Sequence, residues 1–197
     1  MAALSWLTEQ YAAVVETGRS RLVVHSQPCE VLPLLALWPK AGAAIFWQKA
    51  DLTLLGSGCA YECVAADRDR FSAIKQHWQA LECEWVGDLQ PRAFVAFSFF
   101  DTVSETALFP AACLHVPLWL VQQQGEQAYL QRYAYLTPDS DVARLSREWQ
   151  DAEQRLLAPP SPDRANTEPI AMPRLSGTNY REAVRAGLVA IASGGAQ

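Results

Sequence analysis

Five prolines fall between Ala158 and Pro173, among Ser, Asp and Asn residues. Neither a helix interior nor a central strand carries proline at that density, because each one fixes φ and removes a backbone donor. The stretch therefore predicts an extended linker over residues 158–177. Residues 1–157 must then bury a core of their own, for which their length suffices. Residues 178–197 form a separate terminal piece.

Composition supports a folded core. Half of the residues are hydrophobic and 19% are charged, which is the balance of a globular chain rather than a disordered one. The formal charge is −5, and the 16 Lys and Arg residues are scattered. A nucleic-acid surface needs them clustered, so that partner class is not expected. The N-terminus lacks a charged segment followed by an apolar core and a cleavage site. The longest apolar runs, Val31 to Trp38 and Leu114 to Val121, are each broken by a proline and fall short of a membrane span. A cytoplasmic protein without membrane contact is the expectation.

Periodicity places the elements. Leu4, Leu7, Tyr11, Val14 and Val15 predict a helix over about 4–16, stopped by Gly18. Arg21 to His25 reads as a strand. Ala44 to Trp47 and Leu52 to Leu55 read as a pair joined by a polar turn at Gln48 to Asp51. Gly56-Ser57-Gly58 marks a bend, after which Cys59 to Ala65 continues extended. Asp67 is placed to cap a helix whose apolar stripe is Phe71, Ile74, Trp78 and Leu81.

Phe94 to Phe100 is apolar at every alternation, the pattern of a central strand covered on both faces. Cys113 to Val121 reads as a strand bent or placed at an edge by Pro117. Gln124-Gly125-Glu126 is a hairpin turn, returning through Ala128 to Leu136 with Tyr129, Tyr133 and Tyr135 on one face. Asp139 or Asp141 begins a helix with Val142, Leu145, Trp149 and Leu156 inward. A last helix starts near Asn179, with Glu182 in capping-box position and Tyr180, Val184, Leu188 and Ile191 inward. Together these elements predict an α+β fold with a mostly antiparallel sheet and packed helices.

The residues that could carry chemistry do not assemble in the sequence. Cys29, Cys59, Cys63, Cys83 and Cys113 are an odd, widely spaced set, which predicts buried free thiols. Cys59 and Cys63 are the close pair, but no second close Cys or His pair completes a zinc set. Gly56-Ser57-Gly58 lacks the third glycine and the following helix of a phosphate loop. His25, His77 and His115 are far apart and read as packed or solvated residues. Asp101 reads as a turn or cap residue, and Glu62 as surface charge. Trp78 and Trp149 lie on helix stripes and the three tyrosines on a sheet face, which packing explains. No catalytic or metal-binding residue is assigned, and no substrate-binding residue is identified.

A family resemblance supplies what those residues do not. Ile45-Phe46-Trp47-Gln48, followed by Leu54-Leu55-Gly56-Ser57-Gly58-Cys59-Ala60, resembles the front region of isochorismate synthases. There an aromatic strand and a turn precede a "G-x-G-x-A" strand. Pro91 to Phe99 is similar to the family's "PRAFGGFAF" strand. Phe109-Pro110 and Leu114 to Pro117 resemble its "FP…LP" segment. Tyr180 to Ile191 is similar to the helix that opens its chorismate-binding region. The likeness covers residues 44–135, and more weakly 178–193.

The resemblance implies an isomerase that converts chorismate to isochorismate, for menaquinone, phylloquinone or siderophore synthesis. It also implies a water-activating lysine, a general-acid glutamate and a glutamate-held Mg²⁺, all beyond the position equivalent to Gln197. The chain is thus expected to be an N-terminal fragment, inactive alone and holding no cofactor. Chorismate would meet it only in a complete enzyme, or beside a separate chain carrying the catalytic half. Anthranilate and aminodeoxychorismate synthases resemble it less, since their "LLES" motif is met here by Leu54-Leu55-Gly56-Ser57. A salicylate synthase fragment and a non-catalytic module that binds or docks a partner are the alternatives.

Overall fold

The computed structural model describes residues 2–37, 44–66, 68–98, 110–157 and Arg185. In chain order these form α1 (Ala2–Thr17), β1 (Arg21–Cys29), the single-turn α2 (Leu34–Leu37), the hairpin β2 (Ala44–Lys49) and β3 (Leu52–Ser57), and β4 (Tyr61–Ala65). Then come α3 (Arg70–Ala80), β5 (Cys83–Val86), β6 (Phe94–Phe97), β7 (Ala112–Val116), the hairpin β8 (Trp119–Gln124) and β9 (Gln127–Leu136), and α4 (Val142–Leu157). The chain divides into two units, Met1–Ala158 and Pro159–Gln197. Of the second, only Arg185 is described, in helical conformation. The predicted linker over 158–177 and the rest of the helix predicted within 178–197 lie outside the described residues.

The strands form a six-stranded sheet in the order β2-β3-β8-β9-β1-β5 and a three-stranded sheet in the order β4-β7-β6. Every pairing is antiparallel except that of β1 with β5. This is the α+β, mostly antiparallel architecture that the periodicity predicts. No helix among the described residues is long and apolar enough to cross a membrane.

The large sheet is covered on both faces. On one, Val23, Ala134 and Leu136 meet Leu7 and Val14 of α1 and Trp149 of α4. Beside them Leu55, Val121 and Leu130 meet Leu34 and Leu37 of α2 and Ala152 of α4. On the other face Leu22, Val24, Leu120 and Tyr133 pack with Val116, Phe94 and Tyr61 of the small sheet and Trp78 of α3. Strand alternation produces this division: adjacent residues such as Val23 and Val24, or Leu120 and Val121, feed opposite layers. Gly18 ends α1 at φ 66°, its N–H donating to the Val14 carbonyl at 2.9 Å.

Two of the chain's passages between the sheets, β3 to β4 and β7 to β8, are bonded to each other. Leu118 N–H donates to Ser57 O at 3.0 Å, and Ala60 N–H to Val116 O at 2.9 Å. Gly58, at φ 67°, turns the chain from β3 into β4, and a Cβ there would lie 2.7 Å from Leu118 Cβ. Pro117 makes the matching break, so Cys113 to Val121 is two strands in two sheets and not one bent strand.

Other expectations are corrected. Of the run predicted over 94–100, Phe94–Phe97 form β6, residues 99–100 lie outside the described residues, and among the described residues β6 pairs with β7 alone. Its Val95 and Phe97 are 51% and 40% exposed, so it is not a central strand covered on both faces. Val15 is exposed, because only Val14 shares the helical face of Leu4, Leu7 and Tyr11. Phe71 is exposed too and stacks against Phe97 at 4.5 Å, leaving Ile74 as the buried anchor of α3. Asp67 lies outside the described residues, and Asp69 is the N-cap of α3. Asp141 caps α4, its Oδ1 accepting from Arg144 N–H at 2.9 Å.

Candidate functional site

The β4–β7 register brings together residues that the sequence separates. Glu62 is paired directly with His115, so their side chains share a face of the small sheet. Cys59 sits just before β4, held by the Gly58 turn. His115 Nε2 lies 2.9 Å from the Gly58 carbonyl, which can only accept, so Nε2 carries the ring proton. Nδ1 is turned toward Glu62 Oε2 at 3.4 Å. The ligating atoms of Cys59, Glu62 and His115 all lie within 4.8 Å of one another. The Cys59 thiol is held above its usual range by burial and then by the Glu62 charge.

Cys63 does not join them. One residue beyond Glu62, it points to the opposite face, packing with Ala112, Leu114 and Ile74. All five cysteines are free, but the expected burial fails: Cys59 is exposed and the other four are half-buried. Burial first, and then Glu84, push the Cys83 thiol up to about 11.

The large sheet holds the other polar groups in structural roles. Tyr133 is fully buried; its hydroxyl accepts from Arg92 N–H at 3.0 Å and donates to Gln131 Oε1 at 3.1 Å. Gln131 Nε2 lies 3.1 Å from Gln90 O and 3.4 Å from Leu89 O. These bonds tie the segment leading into β6 onto β9. Trp149 Nε1 donates to Tyr133 O at 2.9 Å, so this tryptophan is packing with a satisfied polar edge. Arg132 pairs with Glu153 at 2.7 Å, its side chain 7% exposed. Sequence periodicity gives no sign of this pair, since each partner interrupts an otherwise ordinary amphipathic pattern.

The remaining candidates stay apart. His25 lies on β1 against the Trp6 ring at 6.0 Å, with Nδ1 buried and without a hydrogen-bond partner. Burial, then the Arg132 charge, lower its pKa. His77 is exposed near the end of α3. Gly56-Ser57-Gly58 leads into a strand and not into the helix of a phosphate loop. Gly56 instead admits a neighbour: a Cβ there would lie 2.7 Å from Phe94 Cε2 and 3.1 Å from Pro117 Cβ. Asp101 lies outside the described residues.

Three clefts stand out. One of about 420 Å³ is lined by Leu4, Gln27, Arg132, Trp149 and Glu153. A second of about 400 Å³ is lined by Cys59, Leu118, Asp139, Arg144 and Glu148. The third, of about 420 Å³ and largely apolar, lies between α3 and β6, lined by Phe71, Lys75, Trp78, Arg92 and Phe97. None of the three holds both a lysine and a carboxylate, the pair that would activate water and protonate a leaving group. Magnesium does not fit the Cys59–Glu62–His115 group, because it takes hard oxygen donors, whereas that group offers one carboxylate, one imidazole and one thiol.

Comparison with known proteins gives one family match. The model of a family described as chorismate binding enzyme matches residues 9–197. No curated protein matches the chain.

Proposed function

The chain belongs to the chorismate-binding enzyme family, and from that premise we propose that it is the front part of an isochorismate synthase-type enzyme, converting chorismate to isochorismate. The observation that carries this is the convergence of the three segments that resemble isochorismate synthases. Ile45 of the aromatic strand pairs with Gly56 of the glycine-containing strand. Gly56 in turn leaves the space that Phe94 of the Pro-Arg-Ala-Phe segment occupies. Arg92 of that segment is fastened to Tyr133. Residues distant in sequence thus form one structural joint, which favours a shared architecture over chance likeness.

The described residues serve as frame in this proposal. The three clefts described above lack a lysine–carboxylate pair, and the proposal assigns the water-activating and proton-donating groups elsewhere. A separate chain carrying the catalytic half is the partner proposed, and Mg²⁺ belongs with that half. Quinone synthesis is the preferred pathway and siderophore synthesis the second. A partner-docking module without catalysis is the competing reading, favoured by exposed Phe71, Val95 and Phe97 around the third cleft.

Co-expression with the chorismate-binding half of an isochorismate synthase tests this. Chorismate and Mg²⁺ should give isochorismate, resolved by chromatography, only when both chains are present. Salicylate with pyruvate would move the assignment to a salicylate synthase. No product from the pair would favour the docking module.

A further inference from the structure

We propose that Cys59, Glu62 and His115 form a binding site for a zinc-class divalent cation on the outer face of the small sheet. Their ligating atoms already lie within 4.8 Å of one another. Zinc bonds of about 2.0–2.3 Å in a tetrahedron place neighbouring ligand atoms roughly 3.3–3.8 Å apart. His115 Nδ1 and Glu62 Oε2, at 3.4 Å, meet that spacing without movement. Cys59 Sγ lies within 4.8 Å of both, on an exposed side chain.

The hydrogen bonding around His115 is a second, independent observation. With Nε2 bonded to Gly58 O at 2.9 Å, the ring is held so that Nδ1 faces Glu62 Oε2 at 3.4 Å. Metal-bound histidines characteristically donate their other ring N–H to a carbonyl or carboxylate, which fixes the tautomer and aims the free nitrogen. Gly58 O occupies that position here.

The backbone keeps the group in place. Glu62 and His115 are direct partners on adjacent strands. The Cys59 turn is clamped by the Ala60–Val116 and Leu118–Ser57 bonds. One nitrogen, one sulfur and one oxygen suit zinc and its neighbours in the transition series far better than magnesium or calcium. Thiolate and carboxylate together balance a divalent charge, the thiol proton leaving to solvent on binding. Three protein ligands leave a fourth position for water or an incoming donor. Zinc alone, and not chorismate, is the ligand proposed, and the site stands whether or not the proposed function does.

Cobalt(II) titration of the whole chain, followed by zinc displacement monitored with a chromophoric chelator, tests the site. One Co²⁺ per chain should bind, with a thiolate charge-transfer band and the visible bands of a four-coordinate ion. Cys59→Ser should abolish the charge-transfer band, and Glu62→Gln and His115→Ala should each weaken zinc by at least about tenfold. Cys63→Ser, on the opposite face, should change neither. Absence of saturable uptake, uptake surviving all three substitutions, or equal loss in Cys63→Ser would each overturn the proposal. So would an NMR titration finding His115 doubly protonated at neutral pH while zinc fails to bind.

Discussion

The six-stranded and three-stranded sheets divide polar residues in opposite ways. In the large sheet Gln131, Tyr133 and Arg132 are buried and bonded to backbone or to a partner side chain. Their bonds fasten the 89–92 segment and α4 to the strands. In the small sheet Glu62, His115 and Cys59 are left within reach of solvent, and Val64 beside them is 58% exposed. Burial on both faces favours polar groups that are satisfied, because an unpaired buried group costs about 1–3 kcal/mol, and the large sheet carries that cost at His25 Nδ1, Ser26 Oγ and Gln122 Oε1. A strand with one open face has no such constraint and can present groups for chemistry. The large sheet is a frame, and the small sheet is where exposed chemistry is concentrated.

The largest test of that contrast is Trp149→Ala, which removes a buried indole and the donor to Tyr133 O. It should destabilise the chain by about 3–5 kcal/mol in urea unfolding. A loss within the range of a surface substitution would erase the distinction between frame and presenting face. Gly56→Ala probes the joint between the sheets, where the added methyl meets Phe94 and Pro117. Overpacking should cost about 1–3 kcal/mol. Phe94→Leu should recover part of it in a double-mutant cycle, and strict additivity would mean the two residues do not share the joint.

Tyr133→Phe should cost about 1 kcal/mol, by stripping Arg92 N–H and Gln131 of a shared partner. Cys59→Ser should stay within about 0.5 kcal/mol of the parent, as exposed positions do. Alkylation sharpens the comparison further. Exposed Cys59 should react first, and Cys83, with its thiol pushed up to about 11, should lag behind it.

His25 gives a pH signature for the large sheet. Its folded-state pKa lies below the ordinary 6.5, chiefly through burial and then through the Arg132 charge. The unfolded chain therefore binds the proton more readily. This contribution to stability is complete above about pH 6.5 and declines as pH falls toward the lowered value. His25→Asn should flatten that part of the stability–pH curve, measured by thermal unfolding. An unchanged slope would contradict the assignment.

Much of this frame was legible in the sequence because burial imposes periodicity. Val14, Trp149 and the Tyr129–Tyr135 alternation sit on the layers that their spacing indicates. The β2–β3 and β8–β9 hairpins follow from their turns. The errors have one physical source: periodicity reports which residues are apolar, not what covers them. Phe94 to Phe97 has the composition of a central strand and the position of a strand at the margin of the small sheet. The sheet switch at Pro117 depends on pairing between β3 and β8, which no local pattern contains. The Cys59–Glu62–His115 group was invisible for the same reason, since strand register alone makes Glu62 and His115 neighbours. The Arg132–Glu153 pair likewise joins a strand to a helix through tertiary packing.

In the proposed function this chain frames a chorismate-converting enzyme without supplying its acid–base groups. The purified chain, incubated with chorismate and Mg²⁺ and followed by chromatography, should leave chorismate intact, with no isochorismate above the protein-free control. Isochorismate formed in proportion to chain concentration would contradict it, and would place a working acid–base pair within these residues.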